Sequence, residues 1–231
     1  MAGREVSHPV SATQRPARRI VLIGPPGAGK GTQAKSISAK LGVPHIATGD
    51  IFRNNIARST PLGIESKSYL DRGELVPDHV TTGMVRQRLA EDDAAAGFLL
   101  DGFPRTLSQA EFLAESLGES GTPLDVVLEM SVERGQVLLR LAGRRTCTSC
   151  GSSWHVRFNP PIVHGICDHC SSPLERRADD AEDAINRRQD LYAHETAPLL
   201  GFYRRQGVLT TIEASGAVEA VTERVLSILT A

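Results

Sequence analysis

An apolar run, Ile20-Val21-Leu22-Ile23, leads directly into Gly24-Pro25-Pro26-Gly27-Ala28-Gly29-Lys30-Gly31-Thr32, and a helix-compatible pattern continues to Leu41. Strand, glycine-rich loop and helix in that order restrict the fold sharply. The glycines let the backbone wrap closely around an anion. The first amides of the following helix point at that anion, and the helix dipole favours its charge. The segment therefore predicts an α/β sheet whose first strand ends in a phosphate-binding loop. Gly27, Ala28, Gly29, Lys30, Gly31 and Thr32 are the candidate contacts. Lys30 supplies a mobile cation for outer phosphates and Thr32 a hydroxyl near a metal. The commonest form of the motif has Ser or Thr directly after the lysine; here Gly31 intervenes.

A chain of 231 residues, 40% hydrophobic and 23% charged, suits one substantial core with room for an inserted subdomain. A formal net charge of −1 provides no bulk field for nucleic acid or an anionic membrane, and neither is expected as a partner. No uninterrupted apolar run approaches the length of a membrane span. The start carries Arg4, Arg15, Arg18 and Arg19 against a single acid, Glu5. It reads as a disordered basic tail over 1–18; an organelle-targeting peptide is the alternative, weakened by poor amphipathic periodicity.

Cys147, Cys150, Cys167 and Cys170 form two Cys-x2-Cys turns separated by sixteen residues. Each turn can aim two thiolates at one tetrahedral metal, and two turns complete its shell. With no open position left, the site reads as structural zinc, although four thiolates also suit iron. Disulfides would be reduced in a cytosolic enzyme, and cytoplasmic localisation is expected from reduced cysteines and the missing secretory signal. The surrounding segment is poor in long apolar runs, so metal binding would supply folding free energy that its small core lacks. A free-standing zinc ribbon for nucleic acid is the competing view, weakened by the lack of a basic stripe.

Apolar runs alternate with helical patterns, as in an α/β fold with a parallel sheet. Five strands are expected near 19–24, 45–48, 98–101, 126–130 and 208–212. Helices are expected over 30–41, 50–57, 78–91, 108–117, 133–142, 179–206 and 217–229, with Pro198 kinking the penultimate one. The phosphate loop, Thr48-Gly49-Asp50 and Asp101-Gly102 then all fall at carboxyl ends of strands, where open α/β sheets bind ligands.

Three further motifs complete the pattern: Thr48-Gly49-Asp50-Ile51-Phe52-Arg53; Leu99-Leu100-Asp101-Gly102-Phe103-Pro104-Arg105 with Gln109; and Arg140 to Arg145, then the cysteine segment, then Arg177-Ala178-Asp179-Asp180 and Arg188. Phosphoryl transfer between two nucleotides gathers negative charge in one cleft, and its transition state needs positioned cations. Arginine's planar fork suits that task. In this order and spacing the motifs resemble the adenylate kinases of the long-lid type, over essentially everything from Arg19 onward.

The resemblance implies a P-loop fold with a five-stranded parallel sheet flanked by helices, spanning 19–231, with an AMP-binding flap over 47–76 and a zinc-bearing lid over 143–180. It implies reversible transfer from Mg-ATP to AMP, giving two ADP. Arg53 and Arg105 would hold the AMP phosphate. Arg144 and Arg140 would bind ATP from the lid base. Arg177 and Arg188 would contact AMP and the moving group. Thr48 and Gln109 would read the AMP adenine, with Glu74, Leu75, Val76, Gly102, Phe103 and Pro104 lining its pocket. Ser153, Trp154 and Gly216 would meet ATP. Lys30, Arg105, Arg140, Arg144, Arg177, Arg188 and Asp101 form the implied catalytic set, and a monomer is expected by analogy.

Asp101 ends an apolar strand near the phosphate loop, which suits holding Mg2+ through water; Asp50 is a second candidate for the same task. Asp179 and Asp180 read as caps and hinge residues at the start of a long helix. Two flaps would exclude water from a poised ATP. The alternatives are a UMP or CMP kinase, a GTP-preferring relative, and a zinc-dependent binding module with a degenerate nucleotide domain. The long insertion, Thr48 and Gln109 weigh against the first, and the intact Lys30, Asp101 and arginine set against the last.

Overall fold

A computed structural model describes residues 18–230. The disordered tail expected over 1–18 lies outside the described residues except at Arg18, whose amide donates to Asp125 Oδ2 at 2.8 Å. Five strands, β1 (Arg19–Ile23), β2 (His45–Ala47), β3 (Phe98–Asp101), β4 (Val126–Ser131) and β5 (Leu209–Glu213), form a parallel sheet in the order β2-β3-β1-β4-β5. The α/β, five-stranded parallel expectation is met.

The strand residues alternate between two helical layers. Ile20 and Leu22 face α1 (Lys30–Leu41) and the chain's last helix, α9 (Val218–Leu229), whereas Val21 and Ile23 face the opposite layer. That layer contains α4 (Asp78–Leu89), α5 (Leu107–Glu119) and α8 (Pro198–Arg205), with α9 (Val218–Leu229) on the first face. Ile20, Val21, Leu99, Leu100, Val127 and Leu128 are fully buried. Among the described residues no helix is long and apolar enough to cross a membrane.

The segment expected as a helical flap is two helices, α2 (Thr48–Ala57) and α3 (Pro61–Asp71). The chain turns between them where Ser59 takes φ 51 and the Thr60 hydroxyl caps α3 by accepting from Gly63 N at 3.1 Å. Thr48 therefore begins a helix, where an extended residue was expected.

The single helix expected over 179–206 is broken. A 3-10 turn at Ala178–Asp180 precedes α7 (Glu182–Leu191), and a widened π turn at Tyr192–Thr196 joins α7 to α8. Pro198 has no N–H for the carbonyl one turn back and crowds it. The Ala197 amide instead reaches Tyr192 O at 2.8 Å, so the wide turn absorbs what a simple kink would have.

Between α6 (Arg134–Ala142) and α7 the chain leaves the main sheet. Arg144–Cys147, Ser153–His155 and Leu174–Glu175 form a separate antiparallel three-stranded sheet, with the first of these in the centre. These strands are too short to show in the hydrophobic pattern. Their core is only Cys147, Trp154 and Cys167, with Leu174 packed against it.

Candidate active site

The phosphate loop is built as its glycines require. Gly29 caps α1 in the left-handed region at φ 94, and its carbonyl accepts from Thr32 N and Gln33 N, both at 3.0 Å. Lys30 Nζ folds back onto the loop, donating to Gly24 O at 2.6 Å and Pro25 O at 3.0 Å. A side chain on Gly31 would place its Cβ 3.3 Å from Asp101 Oδ2, so the residue that interrupts the common motif gives this carboxylate close access to the loop. Arg140 bridges the loop to the far end of the sheet: Nη1 donates to Ala28 O at 3.2 Å and Nη2 to Ala214 O at 2.9 Å. Gly216 lies two residues beyond that second anchor. The buried Gln33 also holds this region, donating to Val218 O at 3.0 Å and accepting from Thr222 Oγ1 at 2.7 Å.

Asp101 pairs in register with Leu22 on one side and Ala47 on the other. Burial pushes its pKa up, but His45 and the Lys30 and Arg105 charges outweigh that and hold the carboxyl below its ordinary value. His45 Nε2 lies 3.5 Å from Asp101 Oδ2, at the long edge of hydrogen bonding. An ionised carboxylate beside the phosphate loop is a hard oxygen donor of the kind Mg2+ takes. Asp50 is placed differently from expectation. It is half exposed and bonded to Arg53 Nη2 at 2.6 Å, one helical turn away; α2 thus points it at its own arginine.

The arginines converge around this acid. Arg105 Nε donates to Gly102 O at 2.8 Å, and the Arg105 carbonyl accepts from Thr196 Oγ1 at 2.9 Å. The π turn thereby braces the Gly-Phe-Pro-Arg turn. Arg144 forks onto the fully buried Asp180. Arg188 pairs with Asp179 at 3.1 Å and Asp180 at 3.3 Å, and Arg177 Nε donates to Thr146 Oγ1 at 2.8 Å. Neither aspartate caps α7, whose N-cap is Ala181 without a side-chain bond. The 3-10 turn moves both upstream, and their role is to neutralise arginines. Burial lowers the Arg105 pKa to about 10, with Arg188 adding repulsion, and lowers Arg177 to about 9, with Arg53 and Arg144 adding theirs. Lys30 falls to about 8, through burial first and then Arg105, Arg188 and Arg144, against the pull of Asp101. Cations crowded until they repel one another suit a site that takes a polyanion.

Two compartments meet at this cluster. One is lined by Gly24, Lys30, Pro104, Arg105, Arg188 and Thr196 among others. The second is bordered by Thr48, Phe52, Val76, Thr81 and Gln109. Leu75, Gly102 and Arg105 belong to both. Thr48 Oγ1 donates to Gly102 O at 3.0 Å. Glu74 lines the second compartment too, but its carboxylate is forked by Arg72 at 2.9 and 2.7 Å. Phe103 is fully buried in the core and turns its ring onto Phe112, so any ligand contact there falls to its backbone.

The four cysteines form no disulfide, and their Sγ atoms all lie within 4.8 Å of one another. Thiolates bound at about 2.3 Å around a tetrahedral metal stand about 3.8 Å apart, so the residues fit a metal ion. Ser153 is exposed. The Trp154 ring packs among the cysteines, 5.3 Å from the His169 ring, so that side chain faces the lid's interior.

Sequence reasoning missed His45, Thr196 and Asp78, whose Oδ1 accepts from Gln109 Nε2 at 2.6 Å. His45 and Asp78 carry only the signal of lying near a recognised motif, and Thr196 carries none: its proximity to Arg105 exists only once the π turn has formed.

The family model described as adenylate kinase matches residues 22–208. The adenylate kinase of Clostridium kluyveri is 53% identical over 211 residues, covering 91% of this chain and 97% of that protein. Those of Acidothermus cellulolyticus and Salinispora tropica are each 54% identical with the same coverage.

Proposed function

The chain belongs to the adenylate kinase family, and from that premise we propose how its residues divide the work of moving a phosphoryl group from ATP to AMP to give two ADP. The observation that carries this reading is the shared boundary of the two compartments. Arg105, Gly102 and Leu75 line both, so a donor phosphate on the Lys30 side and an acceptor phosphate on the Thr48 side meet at one guanidinium.

Lys30, the loop amides and Arg140 hold the donor phosphates, and the backbone near Gly216 meets the donor base. Arg53 and Arg105 hold the acceptor phosphate. Arg177 and Arg188 draw the two together, and Arg144 joins them from the lid base. Thr48 and Gln109 read the acceptor base, against the Glu74, Leu75 and Val76 backbone. Asp101 would hold Mg2+, which would neutralise phosphate charge. The acceptor is already an anion, so alignment and charge stabilisation carry the catalysis without a general base. Segments 47–76 and 143–180 close over acceptor and donor, excluding water. The four cysteines hold structural zinc, and the protein is a cytoplasmic monomer.

The test is ADP formation from Mg-ATP with AMP, UMP, CMP and GMP in parallel. Transfer to AMP alone supports the assignment of Thr48 and Gln109. Transfer to UMP or CMP at comparable rates keeps the fold and overturns that assignment.

A further inference from the structure

The Gln109 side chain is 2% exposed at the first turn of α5, and its amide is held at both ends. Oε1 accepts from Arg105 N at 2.8 Å, and Nε2 donates to Asp78 Oδ1 at 2.6 Å. Turned over, the amide would face an N–H with its own NH2 and a carboxylate with its own oxygen. The neighbours therefore fix its direction. Asp78 is itself held: Oδ2 accepts from Thr106 Oγ1 at 2.7 Å, and that hydroxyl oxygen accepts from Gln109 N at 3.3 Å. The ring of contacts leaves Gln109 one free amide hydrogen and one free lone pair, beside the compartment that also contains Thr48 and Val76.

We infer that Asp78 is a specificity-determining positioning residue, holding the Gln109 amide in the one direction that matches a 6-aminopurine monophosphate and opposes a 6-oxopurine. The inference rests on the reading of Gln109 as the residue that faces the acceptor base. Adenine presents an amino donor beside the N1 acceptor. A 6-oxopurine presents a carbonyl acceptor beside an N1–H donor, the reverse pattern. A free amide serves either pattern by turning over; a pinned amide serves one. Thr48 points the same way, because its hydroxyl hydrogen is committed to Gly102 O and it is left as an acceptor for an amino group.

The experiment measures kcat/KM for AMP and IMP, with the ATP KM and melting temperature, in the full-length protein and in Gln109→Ala, Asp78→Ala and Asp78→Asn. Gln109→Ala is expected to raise the AMP KM. Asp78→Ala is expected to narrow the AMP-to-IMP ratio by about tenfold or more, with the ATP KM unchanged. Asp78→Asn is expected to keep the ratio, because its Oδ1 still accepts from Nε2 while the Thr106 hydroxyl reverses. A merely structural Asp78 would lower melting temperature and weaken both acceptors equally, leaving the ratio intact, and that result overturns the inference. If Gln109→Ala leaves both the AMP KM and the ratio unchanged, the reading of Gln109 fails first and the inference with it. Should Asp78→Ala fail to fold, Asp78→Ser makes the same comparison, since its hydroxyl is too short to reach Nε2.

Discussion

Arg144 meets both carboxylate oxygens of Asp180, Nε at 2.8 Å and Nη2 at 2.5 Å, and the carboxylate is fully buried. Arg188 approaches the same carboxylate at 3.3 Å. The pair ties the first strand of the inserted sheet to the turn that leads back into α7. It also holds Arg144 in place before any nucleotide arrives. Breaking such a pair leaves uncompensated buried charge, which costs roughly 3–5 kcal/mol. Asp180→Ala is therefore expected to lose stability at the lower end of that range, because Arg144 retains partial exposure. Urea unfolding followed by circular dichroism measures it. A loss within ~0.5 kcal/mol, as for an ordinary surface change, would show that the pair carries no structural load.

As the proposed contact of the donor phosphates, Lys30 is expected to link donor binding to pH. Burial and neighbouring arginines lower its pKa from 10.5 to about 8, and a bound polyphosphate would restore it by direct attraction. Binding therefore takes up a proton once the pH exceeds about 8. Donor affinity is expected to be flat below that point and to weaken by up to about tenfold per pH unit between 8 and 10.5. The free protein responds with the opposite sign: its unfolded state binds more protons across the same window, so the lysine's contribution to stability rises with pH. Calorimetric titration with ATP at pH 8.5, in two buffers of different ionisation enthalpy, reads the proton uptake directly. Lys30→Arg is expected to remove most of it, Arg177 being the other cation whose lowered pKa lies near that pH; uptake undiminished in that variant assigns the proton elsewhere.

The phosphate loop, the strand-end acids and the cysteine pairs are legible because each is a short local pattern with one physical reading. Ile20 to Ile23 reads as a doubly covered strand because a glycine-rich loop and a helical pattern follow it directly. What stays hidden is set by contacts distant in sequence. Asp179 and Asp180 look like caps from their neighbours alone, yet Arg144, thirty-six positions from Asp180, claims the second of them. Asp50 looks like a metal ligand until α2 turns it toward Arg53. The π turn depends on Pro198, but its consequence, Thr196 against the Arg105 carbonyl, depends on how α8 packs.

Gly102 has both a conformational and a steric reason to be glycine. Its φ is +82, and a Cβ there would lie 2.9 Å from both Arg105 Nη2 and Thr48 Oγ1. Gly102→Ala is expected to cost ~1–2 kcal/mol of strain. It should also displace the two side chains assigned to the acceptor, raising the AMP KM several-fold while leaving the ATP KM in place. Steady-state kinetics with each substrate varied in turn separates the two effects. Equal rises in both constants would place the damage in the whole cleft and remove the case for a local acceptor role.

Metal removal tests the cysteine site, and the chain carries its own reporter. Trp154 is the single tryptophan, and its ring packs with Cys147 and Cys167. So few apolar side chains cannot hold the inserted sheet together, so bound metal would supply much of its folding free energy. Chelation is expected to shift Trp154 emission to the red as the ring meets water, and to lower the melting temperature. Turnover at low temperature should fall less, because the metal is assigned to no reacting group and Lys30, Asp101 and Arg105 sit at or just beyond strand ends of the main sheet, outside the inserted sheet. Elemental analysis of the untreated protein identifies the ion, with one zinc per chain expected. Loss of turnover while Trp154 emission stays unshifted would mean that the metal acts on the reaction itself, and the structural assignment would have to be abandoned.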